Sequence, residues 1–219
     1  MVRQERAACS RRKLMRAAAE VFDEQGYRAT SLTTISARAG LSTGALHYHV
    51  ANKQALAEAV VQEAVDTVRR LTERAAALSA DPLQQLVDSG YLLARFLARD
   101  PVLRAGLELG TGPQAPTGDA ARREWRRWME SRLSLAEQAG TLNAAVPTAT
   151  VVEVVMAATV GCGNQAAASS PSEPWMTGLW TLLLPGMFGE SAPRARLNVS
   201  PPHYGGLPDQ ARCGGTVER

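Results

Sequence analysis

Aromatic residues are scarce in this chain of 219 residues, with Phe, Trp and Tyr together making up 5% of it. Runs that alternate Val, Ile, Thr and Tyr are nearly missing as well. Such a chain has little to build β-sheets from, and the dominance of Ala and Leu favours helix. Cysteine is equally sparse: Cys9, Cys162 and Cys213 stand far apart. Their spacing suits no zinc site, and an odd number suits no disulfide framework. No apolar run reaches about 18 residues without a polar interruption, so no membrane span is expected. The opening MVRQERAACSRRK is charged and has no apolar stretch, which argues against a secretory signal. A reducing cytoplasm is the expected compartment. There is no Gly-rich phosphate loop, no nucleophile elbow and no pair of metal ligands at a workable spacing. His47 and His49 are two apart, and only imidazoles four apart share a helical face. Cys162 is the one thiol near a plausible pocket, and a lone buried thiol is usually inert. An enzyme is therefore not expected: no catalytic residue, no metal site and no cofactor.

Hydrophobic residues supply 45% of the chain, enough for a sizeable core. The net charge is only +3 and is unevenly placed: up to Val60 there are nine basic and five acidic residues. A basic N-terminal module suits a polyanionic partner. Within it lies LTTISARAGLSTGALHYHV, Leu32 to Val50. Ile35 and Ala39 are apolar at i and i+4, so residues 32–39 can lay one face on a core. Gly40 suits a C-terminal cap, Leu41 is a buried plug, and Ser42 can accept a free amide of the next turn. The helix starting near Thr43 is too short to hold itself together and must be packed by neighbours. Its outer face carries hydroxyls, imidazoles and a phenol. A short helix held by another across a glycine turn reads as a helix-turn-helix for the DNA major groove.

In chain order, Met1 to Cys9 reads as a mobile basic arm. Ser10 then caps a helix to about Gln25 that Gly26 ends. Asn52 caps a helix from Lys53 to about Leu78, long enough to link two domains mechanically. Asp81-Pro82 and Asp100-Pro101 open two further helices, since proline fits a first turn; these run to about Leu97 and Leu109. Gly110 to Gly118 reads as a loop, followed by a helix over Asp119–Ala139. Thr148–Ala168 is a buried helix broken by Ser169-Ser170-Pro171. Trp175–Leu184 is the last helix, which Pro185-Gly186 ends or kinks. From Glu190 on, Pro, Gly, Arg and Ser prevail and disorder is expected. The fold class is all-α, in three parts: arm and helix-turn-helix (1–52), a helical ligand-binding and dimerisation domain (53–189), and a disordered tail (190–219).

The segment RRKLMRAAAEVFDEQGYRATSLTTISARAGLSTGALHYHVANKQALAEAV resembles the DNA-binding domain of TetR-type repressors. ERAACSRR, DPVLRAGLELG and EWRRWMESRL extend the likeness to the γ-butyrolactone receptor branch. That resemblance implies a homodimer bound to a double-stranded operator. Two heads about one helical turn apart would read an inverted repeat. Base-edge candidates are Thr43, Gly44, Ala45 and His47, with the Thr43 methyl and Ala45 suited to thymine methyls. Phosphate candidates are Thr33, Ser42, Tyr48, His49 and Lys53. The family often carries Lys where this chain has Thr43, Tyr at His47 and a large aromatic at Val50. Losing the Lys removes one phosphate contact and lowers affinity and salt slope.

The resemblance also implies a small-molecule ligand, γ-butyrolactone-like or antibiotic-like, and the release of DNA when it binds. Trp125 stands where the receptors stack a Trp over the lactone, and Trp128 follows on nearly the same face. Leu86, Gly90, Leu107, Val160 and Trp180 complete a mostly apolar pocket, with Thr111 and Thr159 as polar anchors. Gly161 and Gly163 permit a close helix approach, at the cavity or at a dimer seam formed by the last two helices. A pseudo-receptor answering an antibiotic or intermediate, and a homologue with weakened DNA binding, remain alternatives.

Overall fold

In a computed structural model of the chain, the described residues are 2–111, 115–143, 145–166, 172–188 and 197–201. They form an all-α fold whose helices are α1 (Val2–Ala29), α2 (Leu32–Ala39), α3 (Thr43–His49), α4 (Lys53–Leu78) and α5 (Pro82–Leu97), then α6 (Pro101–Glu108), α7 (Ala120–Gln138), α8 (Thr148–Ala166) and α9 (Ser172–Met187). The only pairing of β type among them is an isolated bridge between Leu142 and Phe188. The Ser169-Ser170-Pro171 break lies outside the described residues.

Local chemistry sets the helix ends. The Ser31, Ser42 and Asn52 side chains accept the amides of Thr34, Ala45 and Ala55. Asp81 and Asp100 do the same ahead of Pro82 and Pro101. Gly40 takes φ 64°, ψ 32°, a left-handed cap that a side chain would strain. Gly26 (φ 75°, ψ 156°) breaks α1, as its placement predicts, but a short helical stretch resumes and runs to Ala29. Two expectations differ at the ends of the chain. Residues 2–9 continue α1 instead of forming a loose arm, because Arg, Gln, Glu and Ala are good helix formers and no Gly or Pro interrupts them. Leu197–Pro201, inside the expected disordered tail, lies against the helices, with Leu197 and Val199 packed on the core. Cys9 is disulfide-bonded, where the cysteine count argued against such a framework. α9 passes Pro185 and ends two residues on at Met187, so the proline removes one bond, to the Thr181 carbonyl, close to the helix end.

The described residues pack into two cores. The smaller joins Leu14, Val21 and Phe22 of α1 to Ile35, Leu46 and Leu56, and takes in Val60 and Val61 of α4 with Val102 and Ala105 of α6 and Leu109 just past its end. The larger runs from Ala64 of α4 through α5, α7, α8 and α9. They meet along α4 between Val61 and Ala64, so the first turns of that helix belong to the N-terminal core. α6 serves both: Leu103 and Leu107 enter the larger core from the helix whose other side faces α1. An ion pair from Arg104 to Asp23 (3.2 Å) fastens α6 to α1.

Candidate nucleic-acid interface and ligand site

α3 is a seven-residue helix with one deep anchor. Leu46 is fully buried between α1, α2 and α4. α2 is locked in turn by Arg38, whose two terminal nitrogens donate to the two carboxylate oxygens of Glu24 at 2.8 and 2.7 Å. That hydrogen bond, more than charge alone, holds the Glu24 carboxyl below its usual range. Held from behind, α3 turns Gly44 and Tyr48 outward. Tyr48 is 82% exposed, and nothing stands within 4 Å of where a Gly44 side chain would begin. Ala45 and His49 are half-exposed, and the His49 ring meets the Tyr48 ring edge-on at 5.4 Å. Ser42 and Thr33 are exposed beside them. Thr43 and His47 lie on α3, but their side chains are outside the described residues.

Lys53 is placed differently from its sequence reading. Its ammonium donates to the carbonyl oxygens of Tyr27 and Thr30 at 2.9 Å each and to that of Arg28 at 3.4 Å. It also stands 4.4 Å from the centre of the Tyr27 ring. The break at Gly26 leaves carbonyls at the end of α1 without helical partners, and a cation there meets the negative end of the helix dipole. The side chain is thus committed to joining α1 to α4, and phosphate would have to compete with three carbonyls for it.

Leu86, Leu107, Trp125, Val160 and Trp180 come together in the larger core, all buried. Gly90 lies against them: a Cβ there would sit 2.9 Å from Met176 Cε and 3.0 Å from Trp180 Cζ2. The indole N–H groups of both Trp125 and Trp180 are buried with no hydrogen-bond partner. An unsatisfied buried donor costs about 1–3 kcal/mol, so two on one apolar core call for an acceptor. Thr159 is buried there, with its hydroxyl donating to the Val155 carbonyl within its own helix (2.7 Å). Trp128 is half-buried and occupied: its Nε1 donates to Ser89 Oγ (3.0 Å), and Arg132 covers its ring at 4.4 Å. Arg132 in turn donates to Gln85 (2.7 Å). Thr111 is not brought to this core. It lines a cleft of about 210 Å³ with Phe22, Tyr27 and Glu108, on the α1 side of α6. Sequence reasoning missed Ser89, Gln85 and Arg132. The i+4 step from Trp128 to Arg132 was the available signal.

α8 and α9 leave an apolar stripe uncovered. Val154, Trp175 and Leu182 are exposed, Leu182 at 81%. Gly161 and Gly178 on the same two helices are exposed, with open space before them. Among the described residues no helix is long and apolar enough to cross a membrane, and no cluster of His, Cys, Asp or Glu is able to hold a metal ion.

Residues 14–60 match the family described as bacterial regulatory proteins, tetR family. Over 213 residues the chain is 29% identical to the A-factor receptor protein of Streptomyces griseus, covering 91% of this chain and 73% of that protein. It is similar to a solved γ-butyrolactone receptor, an ArpA-like protein, at 30% identity and a TM-score of 0.74, covering 84% of this chain and 91% of that one. CprB of Streptomyces coelicolor, solved in complex with its biological operator sequence, is 31% identical with a TM-score of 0.71 over 84% of this chain and 91% of CprB.

Proposed function

The chain belongs to the TetR family of bacterial regulators, among the relatives of the γ-butyrolactone receptors, and on that premise we propose that it binds an inverted-repeat DNA operator as a homodimer and releases it when a small, mostly apolar signalling molecule binds. The DNA half rests on α3, anchored by Leu46 and outward at Gly44 and Tyr48. In this reading Gly44, Ala45, Thr43 and His47 face base edges, while Thr33, Ser42, Tyr48 and His49 meet phosphates. The Leu182 stripe of α8 and α9 pairs two chains and fixes the separation of the heads. Residues 1–52, with the first turns of α4 packed into their core, form the DNA-binding unit, and the rest of 53–189 the sensing and pairing unit. The protein acts in the cytoplasm, as a regulator and not as an enzyme.

The sensing half is carried by two unpartnered indole N–H groups, of Trp125 and Trp180, buried in the same mostly apolar core. A ligand with carbonyl oxygens on a hydrocarbon frame satisfies them, as a lactone does. Leu86, Gly90, Leu107, Val160 and Thr159 line the same region, with Trp128 held at its edge by Ser89. For an effective switch the ligand must favour the DNA-incompetent form strongly: moving it from 1:99 to 99:1 takes about 5.5 kcal/mol of differential binding. The test is a gel-shift titration on DNA upstream of the protein's own coding region. A γ-butyrolactone should release the wild-type chain and fail to release Trp125→Ala, with operator binding intact in both. Equal release would remove Trp125 from the mechanism. Release by an antibiotic and not by a butyrolactone would favour a pseudo-receptor.

A further inference from the structure

Leu197–Pro201 runs along α5 and α9 without helix or strand of its own, and side chains hold its backbone. Gln84 brackets Asn198, donating to its carbonyl oxygen (3.1 Å) and accepting its N–H (2.8 Å). Asp88 accepts from the same Gln84 amide nitrogen (2.9 Å) and orients it. The Tyr91 hydroxyl donates to the Val199 carbonyl and stands 2.6 Å from the Thr177 hydroxyl. Asn198 closes a local turn by accepting the Ser200 N–H (2.9 Å). Leu197 and Val199 are two apart, so they share one side of an extended chain, and both are half-buried on the core. Gln84 and Tyr91 are seven apart on α5, two turns along one face. A side-chain amide that pairs both polar groups of one residue does the work of a neighbouring strand: it reads backbone and gives affinity without demanding a sequence.

Space remains beneath the segment. A cleft of about 280 Å³ is floored by Trp180, Leu184 and Phe188 and roofed by Leu197 and Val199. Its lining is apolar apart from Thr181. The volume is close to the lower end, about 300 Å³, of small-molecule sites. The floor residues recur every four positions and lie across α9 from the exposed Leu182. A short segment held by a few side-chain hydrogen bonds and two half-buried residues belongs to the least stable parts of a fold, which open often.

We infer that Leu197–Pro201 is a strap that opens and closes over a binding site for a small apolar molecule, with Trp180, Leu184 and Phe188 as its floor. An occupant touches floor and strap together, so binding and closure reinforce each other. The cleft shares Trp180 with the core around Trp125, but the strap and its cleft rest on their own observations.

Hydrogen exchange on the full chain tests this, with Nile red, an uncharged apolar dye, as the probe. The Asn198 amide should exchange about tenfold more slowly than an unstructured amide, as one net hydrogen bond allows. That protection should vanish in Gln84→Ala. Nile red should deepen the protection of Asn198 and Ser200 in the wild type. Its affinity should fall about fivefold or more in Gln84→Ala and in Val199→Ser, and stay unchanged in Trp125→Phe. Unprotected exchange at Asn198 in the wild type overturns the strap. Dye binding indifferent to Gln84→Ala and Val199→Ser, or lost only in Trp125→Phe, overturns the site.

Discussion

Gly106→Ala should separate the two cores where they are most tightly joined. A Cβ at Gly106 would fall 2.3 Å from the Cβ of Ala64, with the Val60 carbonyl oxygen at 3.2 Å. Carbon atoms in contact rest about 3.5–4.0 Å apart, so α6 would have to retreat from α4 by more than about 1 Å. Neither neighbour is a flexible side-chain end that can swing aside. Overpacking of this kind costs about 1–3 kcal/mol. Ala64→Gly alone should cost about 1 kcal/mol, the helix penalty of glycine. In the double variant the clash is gone, so its cost should return to about that of Ala64→Gly, a coupling of about 1–3 kcal/mol. Urea unfolding of the four chains reads this directly. Additive losses, with the double variant the least stable, would refute the claim that backbone proximity at this crossing governs the joint.

Three further outcomes follow from the same geometry. Gly44→Glu adds a side chain to open space, so unfolding free energy should move by less than about 0.5 kcal/mol while operator affinity in a gel shift falls more than about tenfold; undiminished binding would take α3 off the DNA. Leu182→Glu should convert a dimer to a monomer by light scattering and weaken operator binding, and a persistent dimer would place the seam elsewhere. Asp88→Asn concerns pH. Burial lifts the Asp88 carboxyl above its ordinary value of 3.8, and the Gln84 hydrogen bond offsets only part of this. The folded chain therefore holds that proton more tightly than the unfolded chain, so wild-type stability declines as pH climbs from about 3.8 through the raised value. The variant should melt higher than wild type at pH 7 and converge with it near pH 4; parallel melting curves across that range would show that Asp88 ionises freely.

The parts of the fold legible from the residues were those set by short-range chemistry. Ser42, Asn52, Asp81-Pro82 and Asp100-Pro101 each mark a helix start because the partner amide is two or three residues away. Gly40 marks a stop for an equally local reason. The recurrence of Leu and Val at helical spacing gave the core faces of α4 and α5. What escaped depends on residues distant in sequence. The resting place of Lys53 is set by carbonyls more than 20 positions back. Trp128 finds Ser89 across 39 positions. Thr111 falls in a cleft whose α1 wall, Phe22 and Tyr27, lies more than 80 positions back. The strap shows no periodicity long enough to notice: Leu197 and Val199 in a stretch rich in Pro and Gly carry no helix pattern, and their partners on α5 are more than 100 residues away.

Lys53 sits where the recognition module ends and the long helix begins, and its three carbonyl contacts act as a weld there. A weld at that point denies the module a wrist of its own. Any swing of α4 must then arrive at the DNA undamped. α4 has 26 residues, about 39 Å at 1.5 Å per residue, so a swing of about 5° carries its tip through about 3 Å. Mirrored in a symmetric partner, the two heads would drift apart or together by up to about 7 Å. Against the ~34 Å stride between successive major grooves, that is enough to put one head out of step whenever the other is seated.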